Sequence, residues 1–358
     1  MKRLATVLIL STLVLALLAC GAAAAGAAGL AAHAPRTVTH FSPGHYGSFA
    51  EGMAADSHGN LWVSVTTWGL YDDSVNPPVV TSDTGKIWRV TPAGHKTLKA
   101  SMDLTPNGFL LGVAVQDDQV YVALYDGGAG GISPGVYRLG SHGKLSQVVK
   151  LPEGAWPNGI AFHGSALYIT DSGAGAVWRA TLGARKVTLH KPWLTSRLLK
   201  PGDPEADASV MGIGVNGIAF RGDRLYVSVA DYGRVVRVPI GHDGSAGKPV
   251  VVVKKAALKT ADGIAFDARG GLWITTDSGT TGASPSGGLY RLTPKGALQT
   301  KADDPGWLNY PTTPVFGTAK GDTGTLFVEN GAFYGASGDG TAPDIRALHV
   351  GIPGLPLR

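Results

Sequence analysis

Short apolar runs alternate with polar turns along the chain, and six of these runs follow one pattern. Each opens with a variable residue and Gly (Pro in the last copy), continues apolar, turns, and resumes as Leu-aromatic-Val/Ile (Val120-Tyr121-Val122 in the second copy). The first three copies begin Glu51-Gly52-Met53-Ala54, Leu111-Gly112-Val113-Ala114 and Asn158-Gly159-Ile160-Ala161-Phe162. The others begin Asn216-Gly217-Ile218-Ala219-Phe220, Asp262-Gly263-Ile264-Ala265-Phe266 and Thr313-Pro314-Val315-Phe316. Short apolar runs bounded by turn residues are strand signals. Their recurrence at roughly 45–60 residues predicts an all-β fold, a six-bladed β-propeller with four-stranded blades. In the third copy the candidate strands are residues 159–162, 167–170, 176–180 and 187–189. The sixth copy holds only three, at 315–318, 326–329 and 345–350. Thr37-Val38-Thr39-His40-Phe41, ahead of the first copy, has the alternation to supply the missing strand and so close the ring without exposed edges.

The ends set the domain plan. Met1-Lys2-Arg3 followed by apolar Leu4 to Ala19 reads as an export signal over residues 1–20. Leu17-Leu18-Ala19-Cys20 is similar to a bacterial lipobox, in which Cys20 is lipidated; ordinary cleavage within the small residues that follow is the alternative. Residues 21–36 are an Ala/Gly-rich tether, and 37–358 form the propeller. The expected location is extracytoplasmic, lipid-anchored or secreted. Cys20 is the only cysteine, so the propeller has no disulfide, thiolate nucleophile or cysteine zinc site. The +5 charge is spread along the chain with no basic stripe, which argues against nucleic acid, and a monomer is expected.

The residue opening each copy reads Glu, Leu, Asn, Asn, Asp, Thr. In a propeller these positions face one axis, so Glu51, Asn158, Asn216 and Asp262 bring two carboxylates and two amide oxygens to the channel mouth. Hard oxygen donors without His or Cys favour Ca²⁺, and Mg²⁺ fits less well because it demands stricter octahedral geometry. Arginines that follow the third-strand aromatic or Val (Arg89, Arg138, Arg179, Arg237, Arg291) fall toward the outside and read as structural.

The order Glu, Asn, Asn, Asp in copies 1, 3, 4 and 5 resembles the senescence-marker-protein/gluconolactonase family, also called regucalcin-like. The matching stretches are Ala50-Glu51-Gly52, Pro157-Asn158-Gly159, Val215-Asn216-Gly217 and Ala261-Asp262-Gly263, the last running on to Asp267 and Gly271-Leu272-Trp273. The closing Val350-Gly351-Ile352-Pro353-Gly354 also matches. Paraoxonase-like and phosphotriesterase-like propellers share a related site. The resemblance implies a catalytic divalent cation, usually calcium, bound by Glu51, Asn158, Asn216 and Asp262, and hydrolysis of lactones or related esters, with Asp262 as base or nucleophile. Two departures count against a sugar acid: Trp156-Pro157 stands where sugar lactonases often carry Arg, and Leu111 opens the second copy.

The ten histidines form no metal-spaced pair, and His163 reads as a turn residue. Trp68, Trp156 and Trp307 are the candidate substrate-binding residues, with Tyr71, Met211, Tyr310, Phe333 and Tyr334 on the same loops. Such a rim suits an apolar or aromatic ester or lactone. Residues 191–214 form the candidate lid. Two other readings stay open: a non-catalytic binding scaffold, and an enzyme resembling streptogramin lyases, suggested by Gly59-Asn60-Leu61-Trp62.

Overall fold

The computed structural model describes residues 35–44, 47–69, 71–72, 79–80, 83–128, 130–279, 286–333 and 342–356. The expected export signal, Cys20, most of the tether and Tyr334 lie outside the described residues, as does the side chain of Tyr71.

Six antiparallel sheets form the ring, each running from an inner strand outward. The inner strands are Ser48–Ala55, Phe109–Gln116, Pro157–His163, Val215–Phe220, Ala261–Phe266 and Pro311–Phe316. The second strands are Leu61–Trp68, Gln119–Tyr125, Ala166–Asp171, Arg224–Val229, Leu272–Thr276 and Thr325–Asn330.

The Leu-aromatic-Val motif of the second strands follows from the pleat, which sends alternate side chains to opposite faces. In blade 4, Leu225 and Val227 pack toward blade 3 while Tyr226 packs toward blade 5. In blade 5, Leu272 and Ile274 face blade 4 and Trp273 faces blade 6. Each blade thus sends branched residues to one neighbour and an aromatic ring to the other, so the core is six slabs between sheets. Fully burying each such side chain contributes roughly 1.5–3 kcal/mol. Two tryptophans are also tied by their indole N–H, Trp62 to Asp56 at 2.9 Å and Trp273 to Asp267 at 3.0 Å. Asp56 further accepts from the backbone N–H groups of His58 and Asn60, so the Gly59-Asn60-Leu61-Trp62 segment is the turn built on that carboxylate.

The ring closes as expected. Arg36–His40 pairs antiparallel with Asp344–His349 as the outermost strand of blade 6, and Arg346 donates to the Thr37 hydroxyl at 2.8 Å. Two of the outer arginines make structural contacts: Arg291 pairs with buried Asp267 at 2.7 Å, and Arg179 donates to the Tyr168 hydroxyl at 3.1 Å.

Two expectations are corrected. The fourth strand of blade 3 is Leu194–Thr195, and Val187–Thr188 instead pairs in parallel with Leu145–Lys150 as a fifth strand of blade 2. Val187 and Leu189 pack onto the core between blades 2 and 3, a placement that strand alternation alone cannot distinguish. In blade 6 the pairing sets Pro314 opposite Val328, as Ile264 stands opposite Ile274 in blade 5. The residue equivalent to Asp262 is therefore Thr312, one position before Thr313.

Deleting residues 1–40 leaves the Asp344–His349 edge unpaired. Compared with a deletion ending at residue 34, it is expected to lower the melting temperature by roughly 10 °C and to promote aggregation, measured by thermal melts with light scattering. Equal melts for the two deletions would contradict the closure.

Candidate active site at the channel mouth

In every blade the inner strand carries a register shift at the opening residue. Such bulges re-aim a side chain. The Gly that follows is required by a close approach: a Cβ on Gly159 would stand 2.6 Å from the Asn216 carbonyl oxygen. Gly52, Gly112, Gly217 and Gly263 would likewise strike the carbonyls of Leu111, Asn158, Asp262 and Thr312. The six opening residues are thus consecutive neighbours around the axis.

Hydroxyls lock this ring. Ser64, Thr170, Ser228 and Thr275, at one position of the second strands, donate at 2.6 Å to the carbonyls of Leu111, Asn216, Asp262 and Thr312 in the next blade. At the seam Thr313, in place of Gly, donates to the Glu51 carbonyl at 2.8 Å. This frees the matching position in blade 6, which holds Glu329, with no exposed surface.

Glu51, Asn158, Asn216 and Asp262 are 4–7 % exposed. Asp277, just past the second strand of blade 5, hydrogen-bonds to the Asp262 carboxyl. Burial, reinforced by Asp277, holds the Glu51 carboxyl well above its usual range. Burial and then Glu51 and Asp277 do the same to Asp262. Burial pushes Asp277 up to about 7, and burial with Glu51 raises Glu329. Four carboxyl groups therefore share a mouth in which none of the ion pairs formed among the described residues supplies a cation.

Glu51 Oε2, Asn216 Oδ1, Asp277 Oδ1 and Glu329 Oε1 are enclosed and meet no hydrogen-bond donor among the described residues. Buried oxygens normally have a partner, and oxygen donors of this chemistry suit a hard divalent cation. Among the described residues no three His, Cys, Asp or Glu groups form a metal-binding group by themselves. A cation here would accordingly depend on the amide oxygens of Asn158 and Asn216 beside the carboxylates.

Trp68 and Trp156 sit in an unbroken aromatic chain on the mouth side. Phe49 lies 5.6 Å from Trp68, 5.1 Å from Phe109 and 4.9 Å from Phe333 between ring centroids. Phe109 continues to Tyr125 at 6.1 Å, Tyr125 stacks on Trp156 at 5.0 Å, and Phe333 meets Tyr310 at 6.2 Å. Trp307 does not join this chain; it packs against the core between blades 5 and 6. Met211 is exposed on the 191–214 segment, which Asp231 straps down by accepting from the N–H groups of Gly202 and Met211 at 2.9 and 2.8 Å. His163 lies at the far end of its strand, 5.0 Å from the Phe220 ring and 3.4 Å from Asp223.

Asp277 and Glu329 were missed by sequence reasoning centred on the inner strands. Aligning the second strands exposes Glu329, because Ser64, Ala123, Thr170, Ser228 and Thr275 precede it at that position.

No family model and no curated protein matches the chain. Among solved structures, it is similar to a protein described as a gluconolactonase, with TM-score 0.58, 15 % identity, and coverage of 91 % of this chain and 95 % of that one. It is also similar to the PQQ-bound aldose sugar dehydrogenase of Streptomyces coelicolor (TM-score 0.53, 18 % identity, 88 % and 96 % covered). A luciferin-regenerating enzyme gives TM-score 0.52 at 13 % identity, with 86 % and 93 % covered. These likenesses define the class of the chain as a six-bladed β-propeller.

The carboxyls bear on stability. Raised values mean that the cation-free folded state holds more protons than the unfolded chain above the ordinary carboxylate range, so its stability falls as pH rises. With Asp277 at about 7, thermal melts in EDTA are expected to give a melting temperature several degrees lower at pH 8 than at pH 5. Asp277→Asn should weaken that dependence, with the raised Glu51, Asp262 and Glu329 carboxyls left to carry the rest. A melting temperature rising over the same interval would contradict the cluster.

Proposed function

We propose that this propeller is a divalent-cation-dependent hydrolase of lactones or related esters, with Glu51, Asn158, Asn216 and Asp262 holding the cation, most suitably Ca²⁺. The supporting observation is the pair of donor-less, enclosed oxygens, Glu51 Oε2 and Asn216 Oδ1, on the ring that also carries Asp262. A bound calcium ion would polarise a carbonyl and stabilise the oxyanion that develops on it. Asp262 takes the proton of the attacking water. The hydrogen-bonded Asp277, raised by burial to about 7, is suited to exchange that proton near neutral pH. The water oxygen bonds to the acyl carbon, the bond from acyl carbon to leaving oxygen breaks, and the proton returns to that oxygen. The Gly59-Asn60-Leu61-Trp62 likeness to lyases has a structural origin in the Asp56 turn, so hydrolysis is the reading favoured here.

Two measurements test this reading. Glu51→Gln with Asp262→Asn removes both carboxylates of the opening-residue ring and leaves only Asp277 and Glu329 on the second strands' side, so calorimetry should lose tight Ca²⁺ binding. Unchanged affinity would rule out this ligand set. Asp262→Asn alone should lower ester or lactone turnover at saturating Ca²⁺ by roughly 10²- to 10⁴-fold in a protein with native circular dichroism. Full activity would eliminate Asp262 as base, and no turnover by the wild type across a broad panel would favour the binding-scaffold reading.

Export with lipid attachment at Cys20 belongs to the same proposal and rests on the Lys2-Arg3 head and the apolar run. Cys20→Ser is expected to abolish incorporation of labelled palmitate in a bacterial host. Labelling that persists would exclude that anchor.

A further inference from the structure

The channel mouth has two unlike halves. Two residues before the opening position, in or just ahead of the inner strand, stand Phe49, Phe109, Trp156 and Tyr310 in blades 1, 2, 3 and 6, but Gly214 and Thr260 in blades 4 and 5. That offset is one pleat farther toward the mouth, about 7 Å along the strand. At the end of the second strand of blade 2 stands Tyr125, in the place that Asp277 takes in blade 5. In a six-membered ring blade 2 lies opposite blade 5. The acidic pair Asp262–Asp277 therefore faces the most apolar part of the rim, where buried Leu111 stands in the position that holds Glu, Asn, Asp or Thr elsewhere.

We infer that the aromatic half-rim centred on Phe109, Tyr125 and Trp156 binds a flat, uncharged ring of the substrate. The scissile carbonyl is thereby directed across the channel toward blade 5. The assignment rests on the hydrolase reading and deepens it by naming the substrate class, an aryl or similarly planar apolar ester or lactone. Three features carry it. Tyr125 and Trp156 are stacked with ring centroids 5.0 Å apart and an interplanar angle of 18°, so these partly exposed rings lie in nearly parallel layers and the outer one offers a flat wall. Offset stacking of a third ring on such a wall is favourable beyond its area burial. The enclosed indole Nε1–H of Trp156 meets no acceptor among the described residues. A donor left without a partner two residues before Asn158 suits an oxygen on the ligand. The polyhydroxylated ring of a sugar lactone would bury hydroxyls against the aromatic faces of blades 1 to 3, and an unpaired buried hydroxyl is costly.

The test separates binding from turnover. 2-Acetylnaphthalene, a ketone with the flat ring and carbonyl but no leaving group, is titrated into the calcium-loaded protein while tryptophan fluorescence is followed. The expected result is saturable quenching, weakened at least tenfold in Trp156→Leu and in Phe109→Leu, with calorimetric Ca²⁺ affinity and circular dichroism unchanged. In parallel, kcat/KM is measured for 2-naphthyl acetate, ethyl acetate and gluconolactone. The wild type should prefer the naphthyl ester, and both variants should lose roughly tenfold or more on it, mainly through KM, with little change on ethyl acetate. Two substitutions are used so that misfolding of one leaves the other to decide. Naphthyl ketone binding without any hydrolysis would uphold the aromatic wall and overturn the hydrolase reading. Hydrolysis that favours gluconolactone, or equal losses on naphthyl and ethyl esters, would overturn the wall and leave the hydrolase reading standing.

Discussion

The approach of the inner strands to one another is the constraint on which the rest of this propeller depends. A Cβ at Gly159 would come within 2.6 Å of the Asn216 carbonyl, and the equivalent glycines meet the same obstacle around the ring. Only with backbone against backbone can the second-strand hydroxyls of blades 1, 3, 4 and 5 reach the next blade's carbonyl at 2.6 Å. Those contacts hold the bulges in place, and the bulges turn Glu51, Asn158, Asn216 and Asp262 toward a common axis. Architecture and candidate chemistry thus share one cause, because loosening the ring would separate the groups that burial brings together.

Concentrating four carboxyls in a buried mouth carries an electrostatic cost. Buried like charges cannot all ionise without a counter-charge, so in the cation-free protein protons supply it. A divalent cation would replace those protons, which ties its affinity to pH. The seam between first and last blades makes room for the fourth carboxyl. With Thr313 donating to the Glu51 carbonyl there, the second-strand position of blade 6 no longer needs a hydroxyl and accommodates Glu329.

Much of this was legible in the sequence because the repeat is written in residues that have one structural use. Gly after the opening residue reports close packing, Leu-aromatic-Val reports two different neighbours, and the strand-like segment before copy 1 reports closure. What was not legible came from interactions between repeats. The repeat pattern alone marks Thr313 as the sixth opening residue because Pro314 stands where the other copies have Gly, whereas strand pairing makes Thr312 the equivalent. Residues 187–189 have strand character but pair with blade 2, since a parallel addition leaves no local signature. Asp277 lies outside the repeated motif, and Glu329 sits inside an apolar strand where only comparison with the other five blades marks it. Trp307 shares the composition of the rim residues but packs into the core between blades 5 and 6.

The central claim is that the channel mouth holds a divalent cation on oxygens from blades 1, 3, 4 and 5. Anomalous diffraction from crystals grown with calcium and exchanged into Mn²⁺ tests it most directly. The account predicts one strong peak on the ring axis, at about 2.1–2.6 Å from oxygens of Glu51, Asn216 and Asp262. A mouth without a peak at saturating metal, or a peak bound only by residues outside this ring, would contradict it.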